Sequence, residues 1–195
     1  MSVAIRKPMT REAFLEWEVR QPLRYEFDGF QPVAMAGGTE EHAAIQRNLA
    51  IAVGGRLRGK PCRFYGSDLK VDTAETYRYP DGFVVCTPAI RRRTTIDDPV
   101  VIFEITSDES AQRDLFVKNR EYAAMSSVRR YIVLAQDSMA GIMYERIGTD
   151  WVGRLLNADM ILHMPEIEIE VPLAELYEGV DLVPADSAAA ASQAD

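Results

Sequence analysis

Three residues of this chain are placed to do chemistry together: Asp81, Glu104 and Lys118. Asp81 stands in R-Y-P-D-G-F-V-V, at the mouth of a short apolar run, and Glu104 interrupts a second apolar run, V-V-I-F-E-I-T. Lys118 follows on a helical pattern. An ionised carboxylate inside an apolar strand is costly unless it is paired or bound to a metal. Two carboxylates from neighbouring strands make a cradle for a hard divalent cation such as Mg²⁺ or Mn²⁺. A lysine beside them can face a water or a phosphate on that cation. The chemistry implied is metal-assisted hydrolysis of a phosphodiester.

Each member has a plainer alternative. P-D-G at 80–82 is good turn chemistry, which accounts for Asp81 without function. Glu104 could lie on an exposed face or pair with an arginine. Its neighbours Val101, Ile102, Phe103 and Ile105 instead suggest a central strand covered on both faces. Thr106, two residues on, shares the face of Glu104 and can hydrogen-bond but supplies no cation. Asp114, Lys118 and Tyr122 are spaced i, i+4, i+8 on one helical stripe. The alternative there is a solvent-facing Asp114–Lys118 pair, worth only about 0.3–0.5 kcal/mol. Glu26 in Y-E-F-D-G and His42 at the start of a long helix could complete the site, Glu26 as a further carboxylate and His42 as a hydrogen-bonding support. Asp68 and Asp72 flank a strand and could also approach it, whereas His163 lies far from these motifs and reads as structural.

The elements that must position these residues are legible from periodicity and turn chemistry. Thr10 caps a short helix, R-E-A-F-L-E-W-E-V, with Phe14, Leu15 and Trp17 or Val19 as its inner face. Asp28-Gly29 joins two short strands within L-R-Y-E-F-D-G-F-Q-P-V-A-M-A. Thr39 opens an amphipathic helix over about 40–58, with Ala44, Ile45, Leu49, Ala52, Val53 and Leu57 at helical spacing. Strand-like runs follow at C-R-F-Y-G-S-D-L-K-V, G-F-V-V-C and P-V-V-I-F-E-I. A helix to about Met125, with Leu115, Val117, Tyr122 and Ala123 inward, leads to the strand R-Y-I-V-L-A. Strand 100–106, helix 109–125 and strand 130–135 make a βαβ unit. A meander, G-I-M-Y-E-R-I and W-V-G-R-L-L, and a short helix near Pro172 complete the chain. The class is α/β, one mixed-sheet domain over 8–183, with 184–195 read as a frayed tail. No G-x-G-x-x-G or G-K-[ST] phosphate loop occurs.

Composition bounds the partners. With 195 residues, 47% hydrophobic and 27% charged, the chain can bury a core without staples. Cys62 and Cys86 form no C-x-x-C pair, which fits a reducing compartment, and Cys86 reads as a small buried hydrophobe. The first ten residues carry no secretion pattern, and no run approaches the roughly 18 apolar residues of a membrane span. A cytoplasmic location without a membrane partner is expected. The net charge of −8 weighs against nucleic acid, which prefers a basic footprint. The local clusters Arg91–Arg92–Arg93 and Arg129–Arg130 could supply one, or could be solvated surface.

Taken together, the pieces resemble the Uma-two family of restriction-endonuclease-like proteins, within the PD-(D/E)XK nuclease superfamily. The pieces are Y-E-F-D-G at 25–29, E-H-A-A-I at 41–45, P-D at 80–81 and V-I-F-E-I-T-S at 101–107, then D-L-F-V-K-N-R-E-Y at 114–122 and R-R-Y-I-V-L at 129–134. The resemblance spans about Thr10 to Leu182. It implies a restriction-endonuclease-like mixed sheet flanked by helices, here with an additional antiparallel meander. It implies Asp81 and Glu104 as ligands of Mg²⁺ or Mn²⁺ and a lysine moved from strand to helix, Lys118, with Glu26 and His42 nearby. Two departures stand out: the serine- and proline-rich turn expected after the glutamate reads S-D-E-S-A-Q, and V-D-T-A-E-T-Y-R before Pro80 is acidic. The expected partner is nucleic acid, DNA first, with a homodimer as the candidate assembly. The competing class is a binding or assembly module that keeps the nuclease fold without turnover.

Overall fold

The computed structural model describes residues 8–35, 37–106 and 113–182, the side chains of Arg113 and Asp114 excepted. The proposed tail and the 107–112 turn lie outside these residues. Thr10 accepts the Ala13 N–H and opens α1 (Arg11–Glu18). Next come β1 (Tyr25–Phe27) and β2 (Pro32–Ala34), joined by a turn in which Asp28 Oδ1 accepts the N–H groups of Phe30 and Gln31. Gly29 there takes φ 90°, a conformation that favours glycine. Thr39 caps α2 (Glu40–Arg56). The middle of the chain forms β3 (Arg63–Gly66), β4 (Lys70–Asp72), β5 (Tyr77–Arg78), β6 (Gly82–Val85), β7 (Thr95–Ile96) and β8 (Val101–Thr106). A π-helical segment, Arg113–Lys118, runs into α3 (Asn119–Ala124). The chain continues through β9 (Arg130–Ala135), β10 (Gly141–Ile147), β11 (Asp150–Leu156), β12 (Ile161–Met164), β13 (Ile169–Pro172) and α4 (Leu173–Leu176).

The main sheet has the order β11-β10-β9-β8-β6-β3. Its β8–β9 pair is parallel, as a βαβ unit requires, and its other pairs are antiparallel. A second sheet, β2-β1-β5-β4-β7, was not separable from the first in the sequence. The run C-R-F-Y-G-S-D-L-K-V divides at Gly66: β3 joins the main sheet and β4 the smaller one.

Strand β8 is covered on both faces. Val101, Phe103 and Ile105 pack with Ile45, Leu49 and Val53 of α2, and Ile102 packs with Phe83, Val85, Tyr122 and Tyr131. Phe103 is fully buried, and removing such a ring typically costs about 3–5 kcal/mol. The smaller sheet has its own apolar cluster, in which Phe14 of α1 stacks on Phe27 and Tyr77.

Three expectations are corrected. Val19 falls past the end of α1 and is 80% exposed, so Phe14, Leu15 and Trp17 make the apolar part of an inner face that also buries Glu18. Val117 points outward, and the inward stripe is Leu115, Lys118 and Tyr122. Cys62 and Cys86 are joined in a disulfide rather than standing as separate thiols. One step beyond the Arg63–Val85 pair, the antiparallel register sets them opposite one another, with Cα atoms 3.9 Å apart. With this pair formed, the cysteine count no longer argues for a reducing compartment.

Candidate active site

Asp81 enters β6 behind Pro80 and ahead of Gly82. Gly82 is crowded: a Cβ there would lie 2.6 Å from a ring carbon of Phe64, which would have to move. Gly82 pairs with Phe103, so the register sets Asp81 opposite Glu104 one step further on. This position lies one residue past the last paired residues of the ladder, Gly82 and Phe103. The Asp81 carboxylate is turned onto β8, with Oδ2 accepting the Ile105 N–H at 2.7 Å. Its Oδ1 lies 3.2 Å from His42 Nε2. Gln46, one turn further along α2, donates from Nε2 to the Asp81 carbonyl at 3.2 Å and to Oδ1 at 3.5 Å. The long helix that packs on β8 therefore also grips Asp81.

Glu104 is only 3% exposed, so the reading as a solvent-facing residue fails. Lys118 Nζ lies 2.9 Å from Glu104 Oε1, and the Tyr122 hydroxyl donates to the same oxygen at 3.1 Å. Lys118 is itself 7% exposed and does not face solvent, while the side chain of Asp114 lies outside the described residues. It sits where the π-helical segment meets α3, and the i, i+4 spacing brings Lys118 and Tyr122 onto one carboxylate. Burial first, then the charge of Glu104, push the Tyr122 phenol well above its ordinary value of 10, so it remains a donor.

Glu26 reaches the same centre from the smaller sheet. Its Oε1 is 3.7 Å from Lys118 Nζ and accepts the Tyr79 N–H at 3.1 Å, while Oε2 accepts from Arg78 NH1 at 3.1 Å. Burial opposes its ionisation. Lys118, Arg78 and the Tyr79 N–H outweigh that cost and hold the carboxyl below its ordinary 4.5. Arg78 also clamps Glu121 of α3, with Nε and NH2 at 2.7 and 2.6 Å. Burial weakens the Arg78 charge, but Glu121 and Glu26 more than restore it, so its pKa moves upward.

The remaining candidates separate. Thr106 shares the Glu104 face of β8, and its carbonyl accepts the Gln136 N–H. Asp72 is bound by Arg11 and Asp68 by Arg24. His163 pairs with Glu170 on the surface. The Arg91–Arg93 cluster follows the far end of β6, and Arg93 is neutralised by Asp97 and Asp98. Arg130 is held by Glu145 and Glu166 and pairs with Val101, three residues or roughly 10 Å along β8 from Glu104. Arg93 and Arg130 are thus engaged by carboxylates outside the site. Sequence reasoning missed Arg78, Glu121 and Gln46. Helical spacing from His42 could have found Gln46, but nothing local marks Arg78 as buried.

The donor set suits a hard divalent ion. Mg²⁺ commonly takes one or two carboxylates and completes its shell with water and phosphate. Asp81 and Glu104 offer two such groups on facing strand positions. Among the named groups, four carboxylates (Glu26, Asp81, Glu104, Glu121) meet two fixed cations (Arg78, Lys118), a balance that one divalent cation would close. A denser cage is absent: among the described residues, no three His, Cys, Asp or Glu side chains gather to hold a metal.

Three likenesses bear on this arrangement. An uncharacterized protein of Synechocystis is 28% identical over 176 residues, covering 88% of this chain and 93% of that protein. A crystal structure from Anabaena variabilis, described as that of "a putative nuclease belonging to DUF820", superposes with a TM-score of 0.74. At 14% identity, covering 88% of this chain and 98% of that one, it shows a shared fold. The model of the Uma2 family, described as "Putative restriction endonuclease", matches residues 11–170. Spanning most of the chain and every strand from β1 to β12, that match makes this protein a member of the Uma2 family.

Proposed function

We propose that the protein is a Mg²⁺- or Mn²⁺-dependent endonuclease acting on DNA phosphodiester bonds. One observation carries this reading: a buried lysine, Lys118, contacts a carboxylate on a central strand, Glu104, that stands opposite Asp81 in register. Family membership supports the nuclease class. Asp81 and Glu104 would hold the metal. A divalent ion held there would lower the pKa of a water and neutralise charge developing on phosphate oxygens. Lys118 offers its ammonium to the same phosphate, and Glu26 holds that ammonium from behind. Tyr122 orients Glu104, and His42 and Gln46 orient Asp81.

The test is cleavage of supercoiled plasmid and single-stranded oligonucleotides with Mn²⁺, comparing wild type with Asp81→Asn. Cleavage lost in the variant supports the reading. Equal cleavage by both proteins removes Asp81 from it.

A second reading is a nuclease-fold binding or assembly module without turnover. Its support is the net charge of −8, together with the ion pairs that hold Arg93 and Arg130 of the two basic clusters. No cleavage by wild type under any metal favours it. For either reading, among the described residues no helix is long and apolar enough to cross a membrane.

A further inference from the structure

Arg78 has no part in the roles above, yet its side chain is only 2% exposed and lies at the middle of the charge network. Contacts run in one line from Glu121 to Arg78, Glu26, Lys118 and Glu104. They pass from α3 through the smaller sheet at β5 and β1, and then to the central strand β8. An arginine buried for packing alone would be satisfied by its two-point clamp on Glu121. The third bond, from NH1 to Glu26 Oε2, has a different consequence. It gives Glu26 a counter-charge of its own.

Without that charge, Glu26 and Glu104 would draw on the same ammonium, that of Lys118. Attraction across a few ångströms is strong in a water-poor interior, so the ammonium would be drawn toward Glu26. The observed position is the opposite, 2.9 Å from Glu104 and 3.7 Å from Glu26. We propose that Arg78 is a positioning residue of the site: by neutralising Glu26 it leaves Lys118 on Glu104, where a substrate phosphate would meet it. The consequence for turnover rests on the nuclease reading, whereas the charge relay does not.

Two measurements test this. The first is Mn²⁺-dependent cleavage by Arg78→Met, Glu26→Gln and the double variant. Arg78→Met is expected to lower kcat by about 10–100-fold, the scale for residues that orient a ligating or reacting group, with KM within about twofold. In the Glu26→Gln background it should cost little more, because the charge it balances is gone. Arg78→Lys, which retains the charge, should recover most of the rate. Losses that multiply independently, or an unchanged kcat in folded Arg78→Met, overturn the proposal.

The second measurement needs no turnover. Arg78→Met and Lys118→Met are combined in a thermal-melting cycle, with and without Glu26→Gln. Coupling between the two should be present with Glu26 and vanish without it. Additivity in both backgrounds overturns the relay. If wild type cleaves nothing, the nuclease reading fails while the melting cycle still decides the role of Arg78. Should Arg78→Met not fold, Arg78→Gln replaces it in both cycles with the same expected signs.

Discussion

Asp81 Oδ2 accepts the Ile105 N–H at 2.7 Å, so the carboxylate just ahead of β6 is fastened to the residue that follows Glu104 on β8. The bond satisfies a backbone donor just where the β6–β8 ladder ends at Gly82 and Phe103. It also brings a second carboxylate to the edge of the strand that carries the first. The ladder's end and the candidate site are one feature.

Asp81→Asn separates holding from charging. The amide can still accept the Ile105 N–H through its oxygen but carries no charge for a cation or for His42. The metal-free variant is expected to lose roughly 1–2 kcal/mol, as a charged hydrogen bond becomes a neutral one. Its melting temperature should not rise with Mn²⁺, whereas that of wild type should, since a ligand binding only the native state stabilises it. Differential scanning fluorimetry with and without Mn²⁺ reads both. A full metal-induced shift in Asp81→Asn would exclude Asp81 as a ligand.

Lys118→Met removes a buried cation from two carboxylates, Glu104 and Glu26. Burial makes this a stability residue as well as a reactive one, unlike an exposed helical lysine. A loss of about 3–5 kcal/mol in denaturant unfolding is expected, the scale for breaking a buried pair from one side. Turnover of the folded fraction should fall by roughly 10²–10³. Both readouts near wild type would mean that Lys118 is neither buried nor functional in solution.

The contrast between Lys118 and Arg78 shows what the sequence could and could not carry. Glu104 was readable because a lone carboxylate in V-V-I-F-E-I-T violates the apolar pattern of a central strand. Lys118 and Tyr122 were readable because helical spacing puts them on one stripe just after that strand. The parallel β8–β9 pair and the α2 core followed from periodicity in the same way. Arg78 sits in a two-residue strand whose neighbours in the sheet are set by register alone. Its partners Glu26 and Glu121 are 52 and 43 residues distant. The Cys62–Cys86 pair was hidden for the same reason, since a register creates it and no local pattern announces it.

Glu26 should leave a signature in acid stability. Its folded-state carboxyl is held below its ordinary 4.5, because Lys118, Arg78 and the Tyr79 N–H together overcome the burial that opposes ionisation. A group with a depressed folded value stabilises fully above the unfolded value and loses that contribution as pH falls through the folded one. Wild type should therefore lose stability more steeply below about pH 4.5 than Glu26→Gln does. Urea unfolding at a series of pH values from neutral down to the acid limb would show the two curves converging. Parallel curves would mean that Glu26 contributes nothing to the acid transition.

The disulfide offers the last check. Cys62 and Cys86 close a loop 24 residues apart in sequence, and within it lie β4, β5 and the approach to β6, hence Arg78, Tyr79 and Asp81. Loop-closure entropy assigns such a link about 3–4 kcal/mol of stability, drawn from the unfolded chain. For a domain of this size that is roughly 10 °C in melting temperature. Reductant should lower the melting temperature of wild type by that amount, while the Cys62→Ser, Cys86→Ser double variant should start low and ignore reductant. The excursion bearing Arg78 and Asp81 is also held by other bonds, from Arg78 to Glu121 and from Asp81 to Ile105. The reduced protein should therefore keep its metal-induced melting shift at low temperature. A wild-type melting curve indifferent to reductant would show that the two thiols are not joined in solution, and loss of the metal shift on reduction would show that the clip itself holds Asp81 in place.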